Sequence, residues 1–475
     1  MPIWAILLVV VLILTGGGFL ARTLLDDNDS GGPSYPKAWD SRILPYTKIA
    51  EKQRGLLFKH PVTVRFLPPK EFEKTVTTED KELDKDDRTE LKQFTGLMRA
   101  LGLISGDVDL FAAFNDFSGA GTLAYYSFED KRVTVRGQRI TPAMRSTLVH
   151  ELTHVLQDQY FDIGERMEKL GKDEGPDTGE ESVLDAIIEG DATRVETRYR
   201  NSLNARQRKA LDSGRDDELD QASGRMKKVP KVVVSMMTSP YTLGEGLVTA
   251  VAQDGGNKAV DKLFRDPPTH ETALLNPFTV LDGDMGAEKV DVPELEKGEK
   301  KFGSGEFGVL TWYFMLAERL PLQEALAAAD GWGGDSYAAF QRGDKTCARL
   351  SYEGDTSKDT TRMYSDLRQW TGQAPRGSAK VSRDGKLVRL ESCDPGTTAH
   401  LGKDASQDAI TLLATRAGLG IGLLRAGAPE AMAGCMADKL AQEYSVSKLT
   451  DPKFGADDPS VKARVQQLAL DCRKT

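Results

Sequence analysis

The chain is poor in histidine and cysteine, with only five and four of them among 475 residues. It also lacks a basic excess, because 63 lysines and arginines are set against 72 aspartates and glutamates, for a net charge of −9. Phosphate contacts need a basic surface, so this balance argues against a nucleic-acid partner. A hydrophobic content of 39% and a charged content of 28% exclude a polytopic membrane protein and a disordered chain. No repeat of solenoid period occurs, and the length predicts two or three domains.

One long apolar run is present, at the start of the chain. Residues 3–21 read IWAILLVVVLILTGGGFLA and carry no charge. At a rise of about 1.5 Å per residue, a helix of this length comes close to the thickness of the bilayer hydrocarbon core. The run predicts a transmembrane helix or signal anchor over residues 1–22, with a cleavable signal peptide as the main alternative and a buried core helix as the other. Residues 23–45, which include an acidic stretch with Gly, Pro and Ser, are interpreted as a linker.

The four cysteines all lie in the last third of the chain, and their spacing excludes a zinc ribbon because no C-x-x-C pair occurs. In an exported protein we expect two disulfides, Cys347–Cys393 and Cys435–Cys472, although four cysteines allow three pairings. Four buried free thiols are the alternative. The disulfide interpretation places the body of the protein outside the cytoplasm, either anchored in the cell membrane or secreted if the N-terminal segment is cleaved.

Hydrophobic periodicity predicts an α+β fold. Short β-branched segments predict a small, mostly antiparallel sheet from residues 62–67, 108–114, 123–128 and 132–135. Helices are expected at 141–158, 181–204 and 232–254, then two within 305–329, and finally at 407–425, 429–445 and 459–472. A hairpin is expected around Asp384-Gly385. We divide the body into a catalytic domain, residues 46–300, and a mainly helical C-terminal region, residues 301–475.

Two of the five histidines form an H-E-x-x-H motif, His150-Glu151-Leu152-Thr153-His154. Residues four apart lie on one face of a helix, so both imidazoles can reach one zinc ion. Glu151 can then reach a water molecule on that ion and act as general base. The other positions from Thr147 to Leu156 are uncharged, as a buried helix requires. Two surface histidines on an ordinary helix are the alternative.

Catalytic zinc needs a third protein ligand. The histidine of metzincins is excluded, because their pattern needs Gly and His where this chain has Gln157 and Tyr160. A carboxylate from a later helix is therefore expected. Glu189, flanked by apolar residues and 35 residues after the motif, is the first candidate, with Asp185 and Asp191 as competitors.

An H-E-x-x-H helix followed by a helix that reads E-G-x-A resembles the gluzincins, which are zinc peptidases. HELTHVLQDQYF with IIEGDA also resembles a group of bacterial exported zinc metallopeptidases, as do the less specific stretches SPYTLGEGLV, PPTHETALLNP and GWGGDSYAAF. The resemblance covers about Val62–Phe340 and implies a zincin-like fold with a Zn²⁺ cofactor. By residue, it implies His150, His154 and Glu189 as ligands and Glu151 as general base.

The sequence departs from the thermolysin type at one position. Four residues after the ligand glutamate that type has an aspartate which orients a histidine, whereas this chain has Thr193. The missing support could come from Asp158 or Asp185, each one helical turn from a ligand, or these could be ordinary helix carboxylates. The oxyanion needs a further donor, for which Tyr241 and His270 are candidates. A core tyrosine and a surface-loop histidine are the alternatives.

The sequence thus predicts a membrane-anchored, extracytoplasmic zinc metallopeptidase that acts on a peptide or protein substrate. Two alternatives stay open. One is a non-catalytic zincin scaffold that serves as a cell-surface interaction protein, and the other is a zinc hydrolase of a non-peptide substrate. The intact Glu151 favours an enzyme, because a scaffold has no need of a base there, and Thr193 favours the scaffold.

Overall fold

A computed structural model describes residues 35–172, 179–283, 287–454 and 458–473. The strands are β1 (Thr63–Leu67), β2 (Ala124–Ser127), β3 (Arg132–Arg136), β4 (Lys300–Gly305), β5 (Trp332–Arg342), β6 (Lys345–Gly354), β7 (Ala379–Asp384) and β8 (Leu387–Cys393). The helices are α1 (Leu44–Arg54), α2 (Pro69–Val76), α3 (Lys85–Ala100), α4 (Leu110–Gly121), α5 (Pro142–Phe161), α6 (Ile163–Lys172), α7 (Glu180–Ser202), α8 (Ala205–Met226), α9 (Lys231–Arg265), α10 (Thr272–Leu275), α11 (Phe278–Asp282), α12 (Val309–Ala317), α13 (Leu322–Ala329), α14 (Ser357–Gly372), α15 (Ser406–Arg425), α16 (Glu430–Glu443), α17 (Val446–Leu449) and α18 (Pro459–Asp471).

The smaller sheet has three strands in the order β1-β3-β2. It is mixed rather than mostly antiparallel, because β1 runs parallel to β3 while β2 runs antiparallel to it. The parallel pair follows from the connection between β1 and β3, which contains the helices α2 to α4 and is long enough for a crossover. The predicted strand at 108–114 is wrong. Asp109 accepts a hydrogen bond from the N–H of Ala112 and begins α4 there.

The larger sheet has five strands in the order β4-β5-β6-β8-β7, with every neighbouring pair antiparallel. The predicted hairpin is β7–β8, in which Val381 pairs with Leu390. The other three strands were not predicted. The longest of them, β5, is buried on both faces along most of its length and so shows no alternation of polar and apolar residues. The α+β class is confirmed, and the C-terminal region contains this sheet as well as its predicted helices.

Both predicted disulfides are present, and the described residues include no free cysteine. Cys347 of β6 and Cys393 of β8 face each other in the strand register. Cys435 of α16 is bonded to Cys472, which directly follows α18. The two bonds therefore fasten a sheet and a helix pair in the C-terminal half.

The two halves of the chain share one continuous buried core. Helix α3 packs against β6 and β8, where Arg99 forms an ion pair with Asp394 at 2.8 Å, and α9 packs against α15. The predicted boundary near residue 300 coincides with the start of β4 and stays a prediction. Residues 1–22, where a membrane helix is predicted, lie outside the described residues, as does the linker as far as residue 34. None of the described helices is long and apolar enough to cross a membrane.

Helices α7 and α9 approach each other through two glycines. A Cβ on Gly190 of α7 would fall on the carbonyl carbon of Gly244 of α9, far inside van der Waals contact. A Cβ on Gly244 would in turn fall on the carbonyl oxygen of Ala186. Only glycine allows this backbone approach, which fixes α9 against the part of α7 that carries Glu189.

We predict that Gly190→Ala lowers the free energy of unfolding by about 1–3 kcal/mol, because the added methyl group overpacks the contact between α7 and α9. Gly418→Ala is the matched control. Gly418 lies within α15, and a methyl group added there would have no heavy atom within 4 Å apart from its chain neighbours and its own helix backbone, so alanine should be neutral or stabilise by about 0.5–1 kcal/mol. Urea unfolding followed by circular dichroism measures both. Equal stability of the two variants would contradict the close approach.

Candidate metal centre

The H-E-x-x-H motif lies on α5, as predicted. Thr141 caps the helix by accepting a hydrogen bond from the N–H of Met144, and Pro142 stands in its first turn. From Leu148 to Asp158 every side chain is buried. The helix thus crosses the interior of the protein and carries its two histidines into a place that excludes most water.

The donor atoms of three residues converge. Glu189 Oε2 lies 3.1 Å from His150 Nε2 and 3.5 Å from His154 Nε2, and the three ligand atoms all lie within 4.8 Å of one another. Two donors bound at about 2.0–2.1 Å to one tetrahedral ion would be roughly 3.3 Å apart, so the two distances to Glu189 Oε2 fit one ion. The other oxygen of Glu189, Oε1, is buried without a well-formed hydrogen bond from the described residues. Two imidazoles and one carboxylate suit zinc and related divalent metals.

Glu151 is next to His150 in sequence, but its carboxyl group contacts strand β2 and does not belong to the three converging donors. Its Oε2 accepts a hydrogen bond from the backbone N–H of Tyr126 on β2, at 2.8 Å. Burial raises the pKa of Glu151 to about 7, against the opposing effect of the charges on His150 and His154. Burial also opposes ionisation of Glu189, but His154 and His150 outweigh it and lower the pKa of Glu189 to about 2. The two carboxyl groups therefore differ in pKa. Glu189 is an anion at neutral pH, whereas Glu151 can gain or lose a proton there.

Tyr241 reaches this group from α9. Its ring is stacked on that of His150, with the centroids 5.9 Å apart and the planes 25° apart. Burial first, and then the charges of Glu189, Asp185 and Glu151, hold the pKa of Tyr241 well above its ordinary value. The tyrosine therefore keeps its proton and can donate a hydrogen bond.

His270, the second oxyanion candidate, has no recorded contact with the three converging donors among the described residues. Its Nδ1 lies 3.1 Å from Glu306, and burial lowers its pKa. The adjacent Glu271 accepts a hydrogen bond from the hydroxyl of Ser182. Ser182 precedes Glu189 by seven residues, or about 10 Å along the axis of α7. The two oxyanion candidates therefore differ in position, and Tyr241 is the one in contact with a histidine of the centre.

The residue that orients His154 was not predicted. Nδ1 of His154 donates to Gln157 Oε1 at 2.9 Å, because an amide oxygen can only accept, and in the neutral ring this leaves Nε2 without a proton and able to bind a metal. The amide nitrogen of Gln157 donates to the carbonyl of Ile188 and to Asp191, at 3.0 and 3.2 Å. Gln157 thus joins the motif helix to the helix of Glu189. The position of Gln157, three residues after His154 on the same helix, could have indicated this contact.

His150 has a charged neighbour in Glu196, which was also missed. Glu196 Oε2 lies 3.4 Å from His150 Nδ1, and the carboxylate also pairs with Arg215 at 3.4 Å. Burial opposes ionisation of Glu196, but the neighbouring His150 helps to keep the pKa of Glu196 low. Glu196 follows Glu189 by seven residues, two turns along the same face of α7, and this spacing could have indicated it.

The predicted carboxylates around the centre have three different roles. Asp158 accepts from the hydroxyl of Tyr126 and from Lys131, at 2.8 and 2.6 Å, rather than from a histidine ring. Asp191 pairs with Arg54, which is completely buried, at 2.6 Å. Asp185 is only 4% exposed, and it accepts no hydrogen bond and forms no ion pair within the described part of the chain. Burial and the charge of Glu189 raise the pKa of Asp185 well above its usual range.

Comparison with known families gives one match, outside this centre. A profile described as a domain of unknown function (DUF8575) matches residues 296–414, which contain the larger sheet and the helices α12 to α14. Neither the curated proteins nor the solved structures include a match to the chain. The matched segment is less than half of the chain, and every residue of the centre precedes it.

We predict that Gln157→Leu weakens zinc binding about 10- to 100-fold, because His154 loses the acceptor that fixes its ring and tautomer. Gln159→Leu is the matched control, since Gln159 lies on the same helix but contacts the backbone of Lys59 and His60. Competition with a chromophoric zinc chelator measures both affinities. An equal affinity in the two variants would contradict the role of Gln157.

Proposed function

We propose that the protein is a zinc-dependent peptidase whose metal ligands are His150, His154 and Glu189. The observation that carries this proposal is the convergence of two Nε2 atoms and one carboxylate oxygen, with Glu151 held beside them by a backbone N–H. A metal site of structural type has no need of a separate buried carboxyl group next to the ligands. Three protein ligands and a neighbouring base are the set required for hydrolysis by water.

Bound zinc would supply a Lewis acid that lowers the pKa of a water molecule to about 7 and polarises a carbonyl. The part of Glu151 is to take a proton from water and later deliver it to the amine that leaves. Burial raises the pKa of Glu151, and this suits the group to both steps, because it favours uptake of the proton from water. The N–H of Tyr126 binds one carboxylate oxygen and so limits the rotation of the base.

Tyr241 is the residue that we propose as donor to the developing oxyanion. It stacks on His150 and keeps its proton, so it can donate a hydrogen bond as negative charge forms on the substrate oxygen. His270 contacts Glu306, and its neighbour Glu271 contacts Ser182, about two turns of α7 from Glu189, so the same role for His270 has less support.

The site of action that we propose is extracytoplasmic, with the chain anchored in the membrane by residues 1–22. The support is twofold. The apolar run at residues 3–21 has the length of a membrane span, and the two disulfides are typical of an oxidising compartment.

Zinc content and peptide cleavage by the purified full-length protein test the proposal together. We expect one zinc ion per chain and hydrolysis within a peptide library. Glu151→Gln should retain zinc and lose about 10²- to 10⁴-fold in kcat, because it removes the base and no ligand. Glu189→Ala should lose zinc, because it removes one of three ligands. Glu165→Gln, a change at an exposed carboxylate of α6, is the control and should alter neither.

Two results would contradict the proposal. Stoichiometric zinc without cleavage of any peptide would favour the scaffold or a non-peptide substrate. Full activity in Glu151→Gln would exclude that residue as the base.

A further inference from the structure

Asp185 differs from the other buried carboxylates around the centre. It is 4% exposed, and no described residue donates a hydrogen bond to it or pairs with it. Each of the comparable groups has a cationic or N–H partner: Asp191 with Arg54, Asp158 with Lys131, Glu196 with Arg215, and Glu151 with the N–H of Tyr126. Asp185 is thus a buried acid whose partner is missing from the described chain.

The position of Asp185 connects it with the proposed reaction. It precedes Glu189 by four residues, which places it on the same face of α7 at a distance of about 6 Å along the helix axis. Its charge acts on Glu189 and on Tyr241, so the carboxyl group lies near both residues. A group bound at Asp185 would therefore lie one helical turn from the metal ligands.

Burial favours the protonated form of Asp185 as long as the group has no partner, whereas a buried carboxylate is normally paired with a cation or bound to a metal. A second metal ion is not indicated. The described residues contain one cluster of three potential ligands, His150, His154 and Glu189, and Asp185 does not belong to it. The remaining source of a partner is a ligand that brings its own positive charge.

We infer that Asp185 binds a cationic nitrogen of the substrate, on a residue next to the bond that is cleaved. The inference rests on the proposed peptidase function and names its substrate class: peptides with lysine or arginine beside the scissile bond, or with a free amino terminus there. Both sources present the same chemistry, a positively charged N–H donor for a carboxylate. Asp185 is in this role a specificity residue and takes no part in proton transfer.

The experiment compares peptides that differ only in this charge. Each pair has lysine or norleucine beside the cleaved bond, and each is made with a free and with an acetylated amino terminus. We expect kcat/KM to be about tenfold or more higher for the cationic member. The acetylated set shows whether the side chain or the terminus supplies the nitrogen. In Asp185→Asn, which keeps the shape and removes the charge, the ratio should fall to within about threefold of unity.

Glu180→Gln is the matched control, because it removes a carboxylate from the first turn of the same helix. It should keep the preference of the unaltered protein. Either of two results overturns the inference: no preference for the cationic peptide in the unaltered protein, or a preference that survives Asp185→Asn.

Binding to zinc-loaded Glu151→Gln separates this inference from the proposed function. Isothermal titration with the same peptide pairs needs no turnover, and we expect about tenfold tighter binding of the cationic member, lost in the double variant with Asp185→Asn. Such binding without any hydrolysis by the unaltered protein would support the role of Asp185 and contradict the peptidase. Hydrolysis without a preference in either measurement would support the peptidase and contradict the role of Asp185.

Discussion

The candidate centre depends on one side chain that bonds to both of its helices. Gln157 accepts from the ring of His154 and donates to the carbonyl of Ile188, the residue before Glu189. A single amide thus sets the orientation of one proposed ligand and the distance to the helix that carries another. Because the amide can do this only when α5 and α7 are packed, the donor set is a property of the helix pair.

Around this pair the protein balances charge inside its core. Gln157 also donates to Asp191, which pairs with the completely buried Arg54, and Arg54 in turn pairs with Asp261 of α9. Breaking a buried ion pair leaves an uncompensated charge, so the two ion pairs of Arg54 restrain α1, α7 and α9 at once. The glycine contact between α7 and α9 adds a steric restraint and brings Tyr241 onto His150. Asp185 is left outside this balance, and this is the observation from which we infer its role in binding a cationic substrate group.

Local patterns predicted the parts of the fold that depend on local physics. The cap at Thr141 and Pro142, the hairpin at Asp384-Gly385 and the two disulfides all follow from short stretches or from an even count of cysteines. The strand expected at 108–114 was wrong because Asp109 caps a helix in an apolar segment that suits either structure. Strand β5 was missed because burial on both faces removes the alternation that identifies a strand.

The sequence by itself determined the chemistry at the centre: two histidines four residues apart, a glutamate between them, and a shortage of other histidines that pointed to a carboxylate as third ligand. Tertiary structure alone decided which groups surround that set. Glu196 and Gln157 reach the histidines, while Asp158 turns to Lys131 and Asp191 to Arg54. Spacing along one helix fixes which residues share a face, whereas the partner across the contact depends on how separate helices pack.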